Sequence, residues 1–179
     1  FTTFPPHPTP VYFFAGNSVS TADLDGDGTI EVIVNYCGLD PWAGVAIYEG
    51  RTGRPAFRQT SALSVFGMLT YGMVLSDLTG DSLPEVIVVG QNETFQRTIW
   101  VKTRSATGGL KDLPGFPIVM PEYNGWIGNY PTVADLDLDG IPELICTFYE
   151  FDICALVIFK ANGQPYVTVE GHPEGEAFR

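Results

Sequence analysis

The sequence predicts an all-β fold made of three consecutive four-stranded antiparallel repeats. An acidic nine-residue stretch that runs into an apolar segment occurs three times, starting at Asp23, Asp77 and Asp135, with spacings of 54 and 58 residues. Self-similarity at a period of about 50 residues marks a repeat architecture. Between these stretches, β-branched and aromatic residues gather in short runs bounded by Gly and Pro, which is strand rather than helix patterning. The 20 Gly and 14 Pro supply many turns and argue against long helices.

Taken in order, residues 1–16 are rich in Pro and aromatics. Phe4 precedes Asp23 by 19 residues, just as Phe116 precedes Asp135, so this segment reads as the outer strand of a preceding unit. Repeat 1 (17–60) has a strand from Ser18 to Ala22 entering the acidic loop and one from Val32 to Tyr36 leaving it. Val45–Tyr48 is the third strand, Glu49–Pro55 a Gly-containing turn, and Ala56–Thr60 an outer strand. The continuous run Val32-Ile33-Val34 suits a strand buried on both faces. Repeat 2 (61–120) follows the same plan with Met73–Ser76, Val86–Val89, Thr98–Thr103, a longer turn over Ser105–Gly115, and Phe116–Met120. Repeat 3 (121–170) has Thr132–Ala134, Leu144–Phe148, Ala155–Phe159, a turn at 160–164 and Tyr166–Val169, and 171–179 reads as a polar tail or the lead into a further unit. Four-stranded units at this period are propeller blades, so residues 1–179 form one repeat domain.

The loops carry the chemistry. Asp23, Asp25, Asp27 and Glu31 occupy positions 1, 3, 5 and 9 of the first, and Asp135, Asp137, Asp139 and Glu143 repeat the set in the third. Alternate acidic residues in a tight loop offer convergent oxygens, and Ca²⁺ takes about 6–8 of them. Gly28 permits the sharp turn, and the backbone carbonyl at position 7 (Thr29, and Ile141 in the third loop) joins the shell. In the second loop Asp77, Asp81 and Glu85 remain, but Thr79 replaces the second aspartate and Ser82 the glycine. The competing reading is an Asx-type turn that binds nothing, and three in-register copies weigh against it for loops 1 and 3. Two Ca²⁺ sites are therefore expected, with a third open at loop 2.

The formal charge of −12 belongs largely to these loops, and three dications would reduce it to −6. Such acidity excludes a nucleic-acid partner, which needs a basic footprint. No apolar run approaches the ~18 residues that span a bilayer, and no signal peptide is visible. Of three cysteines, Cys146 and Cys154 flank a turn expected near Glu150 and form either a cross-strand disulfide or two buried thiols; Cys37 is left over. Asn92-Glu93-Thr94 is an N-glycosylation sequon. His7 and His172 sit in Pro-flanked terminal segments without a nucleophile or ligand companion. No nucleophile elbow, phosphate-cradling loop or Zn-spaced cluster occurs, so the chain is expected to be non-catalytic.

The D-x-D-x-D-G-x-x-E loop followed by Val-Ile-Val resembles the FG-GAP or VCBS repeat of integrin alpha-subunit β-propellers and many bacterial and algal surface proteins, most specifically at 23–34, 77–90 and 135–148. The resemblance implies integrin-alpha-like propeller blades whose first hairpin loop holds Ca²⁺, and it assigns ligand roles to the carboxylates named above. The family closes rings of about seven blades and this chain has three, an incomplete ring that calls for further chain or further copies.

The function expected is a calcium-stabilised extracellular or cell-surface module for adhesion or self-assembly, with a protein partner or copies of itself. An alternative is a glycan-binding lectin using Trp42 or Trp126, which otherwise serve as packing wedges. Another is a non-catalytic part of a polysaccharide-degrading enzyme.

Overall fold

The computed structural model describes residues 18–37, 43–56, 63–67, 69–106, 108–120, 130–150, 153–166 and 177–178. The lead-in strand expected over 1–16, both histidines, Trp42 and Trp126 lie outside these residues. Among the described residues the chain is all-β, in three antiparallel sheets that follow chain order. Sheet 1 contains β1 (Val19–Ala22), β2 (Glu31–Cys37), β3 (Ala43–Glu49) and β4 (Leu63–Gly67). Sheet 2 contains β5 (Leu69–Ser76), β6 (Glu85–Gln91), β7 (Arg97–Arg104), β8 (Leu110–Asp112) and β9 (Ile118–Met120). Sheet 3 contains β10 (Thr132–Ala134), β11 (Glu143–Glu150), β12 (Ile153–Phe159) and β13 (Ala177–Phe178). Each acidic stretch is the loop between the first two strands of its sheet, as expected.

The outer edge of the sheets is described in full in repeat 2 and there differs from the sequence expectation. After the third strand the chain turns at Gly53, Gly108–Gly109 or Gly163, all with positive φ. It then pairs briefly with the near end of that strand: Pro55 with Tyr48, β8 with Lys102–Arg104, and Pro165 with Phe159. The far end of the third strand pairs with β4, β9 or β13, and in repeat 2 a break at 113–117 separates the two pairings. In repeat 1, β4 (Leu63–Gly67) pairs with the far end of the third strand and carries sheet 1 past residue 60, while 57–60 of the expected strand lie outside the described residues. The longer turn of repeat 2 contains β8, and Phe116 precedes the strand instead of starting it. In repeat 3, Tyr166 is not in a strand, 167–169 lie outside the described residues, and the supposed tail supplies β13. The physical reason is packing: the break in repeat 2 turns Leu113 and Phe116 into the core between sheets 2 and 3, and Ala56 enters the core between sheets 1 and 2.

Two cores join the sheets. Val86, Val88 and Trp100 of sheet 2 meet Leu24, Ile33, Val45 and Ile47 of sheet 1. On its other face Ile87, Val89, Ile99 and Val101 meet Leu144, Cys146, Val157 and Phe159 of sheet 3. Hence β6 is buried at every position, and its unbroken apolar run follows from having a sheet on each side. The stacking is head-to-tail. Positions 10 and 12 (Val86 and Val88, Leu144 and Cys146) face the preceding sheet, and position 11 (Ile33, Ile87) faces the following one. Each such aliphatic burial contributes about 1.5–3 kcal/mol.

The register overturns the facing of the two cysteines. Cys146 pairs with Val157, and Cys154 with Tyr149, so they are not cross-strand neighbours. Cys146 is a free thiol in the core between sheets 2 and 3, and burial pushes its pKa up to about 12.

Sheets 2 and 3 also touch backbone to backbone. A Cβ at Gly115 would overlap the Asn162 carbonyl, and one at Gly163 would lie 2.5 Å from the Gly115 oxygen. Both glycines have positive φ. Gly115→Ala is therefore expected to cost at least ~2 kcal/mol in urea unfolding. Gly80→Ala, also at positive φ (75°, against 97° at Gly115) but with nothing within 4 Å of the new Cβ, should cost about 1 kcal/mol. Equal losses would show that backbone conformation, not the contact between sheets, sets the requirement.

Candidate metal centres

The three loops share one hydrogen-bonded cage. The closing glutamate opens the second strand and accepts the N–H of the leucine at position 2: Leu24 to Glu31 Oε2, Leu78 to Glu85 Oε2 and Leu136 to Glu143 Oε2, each at 2.8 Å. These glutamates are only 2–3 % exposed. The first aspartate gathers the turn. Asp23 accepts N–H groups from Gly26 (2.7 Å) and Gly28 (2.9 Å), Asp77 from Thr79, Gly80 and Ser82, and Asp135 from Asp139 and Gly140. The position 5 carboxylate accepts the N–H two residues on: Asp27 from Thr29, Asp81 from Leu83 and Asp139 from Ile141. Asp25 does the same for Asp27 in loop 1. In loop 2 the Thr79 hydroxyl lies 3.5 Å from Asp77 Oδ1.

Within that shared cage the loops diverge. Asp23, Asp25 and Asp27 converge so that one oxygen from each lies within 4.8 Å of the others, and so do Asp135, Asp137 and Glu143. Among the described residues, loop 2 forms no such trio. There Arg104 ion-pairs with Asp81 at 3.0 Å, and the Thr103 hydroxyl donates to the second oxygen of Glu85 at 3.0 Å. In loop 3, Lys160 reaches Asp137 at 3.2 Å. Among the described residues no loop 1 carboxylate is ion-paired, and the residue opposite Glu31 in register is another acid, Glu49. Sequence reasoning missed Glu49, Thr103, Arg104 and Lys160, which lie at or just past the end of the third strand, beside the loop only through strand pairing.

Burial and mutual repulsion act on these acids in metal-free protein. Desolvation raises the pKa of Glu31 against the Leu24 N–H, with the charges of Asp25, Asp23 and Asp27 adding to the rise. Glu85 is raised by desolvation too, opposed by Leu78 and Thr103. Asp77 is held below its ordinary value; desolvation works against this, but N–H groups of Ser82, Gly80, Thr79 and Asp81 outweigh it. Converging carboxylates with few cations fit a hard, oxygen-seeking dication, which neutralises their repulsion.

Loop 3 also borders a cavity of about 400 Å³ between sheets 2 and 3, lined by Asp139, Glu143 and Lys160 and by apolar Leu78, Leu113 and Ile141. The sequon lies at the opposite end of sheet 2, where Asn92 is tied into the β6–β7 turn. Its amide nitrogen donates to Gln96, and its oxygen accepts from Thr94 and Gln96.

No protein-family model matches the chain, and no curated protein matches it. Among the described residues no helix is long and apolar enough to cross a membrane.

A glutamate whose pKa is raised by folding stabilises the fold only while protonated; that contribution is lost as pH rises through the folded value. Glu31→Gln removes the buried charge and keeps an acceptor for Leu24. In chelator it should therefore raise the melting temperature at pH 7 by ~2–4 °C. The gain should vanish below the ordinary value of 4.5, where both side chains are neutral. A gain independent of pH would show that the charge of Glu31 is not the cause.

Proposed function

We propose that the chain is a calcium-stabilised, propeller-type repeat module of an extracellular or cell-surface protein, acting without catalysis in adhesion or self-assembly. The observation that carries the reading is the recurrence of one carboxylate cage, with converging acids in loops 1 and 3, at the same end of successive sheets. Ca²⁺ suits an all-oxygen donor set of this kind, and calcium sites of extracellular modules work at about 10⁻⁴–10⁻³ M. The ion's role is structural: it offsets repulsion among acids that the cage forces together.

The side chains left uncovered support assembly. Leu24 and Leu78 enter the cores between successive sheets at 3 % exposure, whereas their counterpart Leu136 is 42 % exposed. Val86 and Leu144 are fully buried against a preceding sheet, whereas their counterpart Val32 is only half-buried. Each end of the stack thus carries one half of the interface that recurs inside it. A head-to-tail contact of this type propagates until a ring closes or a filament grows, and the partner is either another copy or further blades of the same kind.

Calorimetric titration is expected to find two Ca²⁺ ions per chain, with Asp25→Asn and Asp137→Asn each abolishing one. At calcium a hundredfold above Kd, each ion should stabilise the fold by about 2.7 kcal/mol. Light scattering and electron microscopy should then show assemblies that dissociate in chelator. A melting temperature unchanged from zero to ~10 mM calcium, far above the expected Kd, would sink the metal assignment. A monomer in both conditions would sink the assembly.

A further inference from the structure

Strand pairing places a different residue beside the closing glutamate of each loop: Glu49 in unit 1, Thr103 in unit 2 and, one step beyond the Leu144–Phe159 pair, Lys160 in unit 3. We infer that this third-strand end grades the three loops. Arg104 is a permanent internal counter-ion that makes loop 2 independent of metal, and Lys160 is a displaceable one that makes loop 3 load after loop 1. The inference rests on the calcium reading above and adds to it the residues that set which loop fills, and in what order.

In loop 2 the conditions for a resident cation are already met from within the chain. Three carboxylates face one guanidinium, Arg104 holds Asp81, and both oxygens of Glu85 are partnered, one by Leu78 N–H and the other by the Thr103 hydroxyl. Arginine keeps its charge across the working pH range, and among the described residues Asp81 is the side chain that Arg104 holds, so it stays.

Loop 3 has a fourth carboxylate, and its glutamate is arranged differently. Glu143 is 2 % exposed, uses only Oε2 to accept Leu136 N–H, and contributes to the converging trio with Asp135 and Asp137. That buried carboxylate, partnered at one oxygen only and directed among the aspartates, calls for a cation. Lys160 answers from the rim, on Asp137 alone. Its ammonium also lies 5.6 Å from the centroid of the Tyr166 ring and borders the cavity between sheets 2 and 3. A dication that takes Asp137 therefore leaves Lys160 an aromatic face and solvent to move to. Such an exchange lowers loop 3 affinity relative to a loop with no cation to displace. Loop 1 is that loop: it has four carboxylates, no ion pair among the described residues and a neighbouring Glu49.

Step-resolved calcium titration, by calorimetry and by terbium luminescence, tests the grading in the intact chain. Wild type should bind two ions with unequal affinity, and Asp25→Asn should remove the tighter step. Lys160→Gln should tighten the weaker step about five- to tenfold, as removal of one nearby positive charge predicts, while Lys160→Arg should not tighten it. Thr79→Asp alone should add no ion, whereas Thr79→Asp with Arg104→Gln should add a third. The grading is overturned by two equal steps, by a weaker step that ignores Lys160→Gln, or by a third ion in Thr79→Asp with Arg104 in place. Wild type that binds no calcium overturns the metal reading itself, and the grading with it.

Discussion

Each unit depends on a buried carboxylate clamped to a backbone amide. The closing glutamate sits at the first residue of the second strand and holds the N–H of the position 2 leucine across the loop. That bond fixes the loop in a turn that forces the remaining acids together. It also points the leucine at the neighbouring sheet, so that Leu24 and Leu78 become parts of the two cores. The charged cage and the apolar joint between sheets are thus two ends of one lever. Water is excluded from the glutamate by the same packing, and in the first two units this burial raises the pKa of Glu31 and Glu85.

The sheets stack because the side chains of sheet 2 alternate between two neighbouring sheets. A free-standing sheet of this length would expose one apolar face, and sheet 2 exposes neither. The interruption of the outer strand in repeat 2 belongs to the same economy of space, since Leu113 and Phe116 fill the core where a continuous strand would leave it open. Gly115 and Gly163 then allow the backbones of adjacent units to meet directly. The joint between units is as tightly specified as the interior of either one.

Three nearly identical loops need not be three identical sites. Their cages agree almost bond for bond, and they differ in what the third strand places beside them: an acid, a threonine followed by arginine, or a lysine. Repeat architecture makes such divergence inexpensive in structural terms, because each unit retains its own hairpin while one strand end varies.

Much of this chain was legible from local relations. The acidic positions, the turn glycine, the closing glutamate and the apolar run lie within about a dozen residues of one another, and turn chemistry and strand alternation act over that range. The loops, the hairpins they join and the order of the first three strands in each unit were therefore determined by sequence alone. Contacts between distant residues were not. The split outer strand, the separation of Cys146 from Cys154, the burial of Leu24 and Leu78 against exposed Leu136, and the arrival of Arg104 and Lys160 at the acids all depend on strand register and sheet stacking. Arg104 and Lys160 each lie 23 residues from the aspartate they hold, a separation with no period to reveal it. Only folding, by laying the third strand against the second, brought them to the loops.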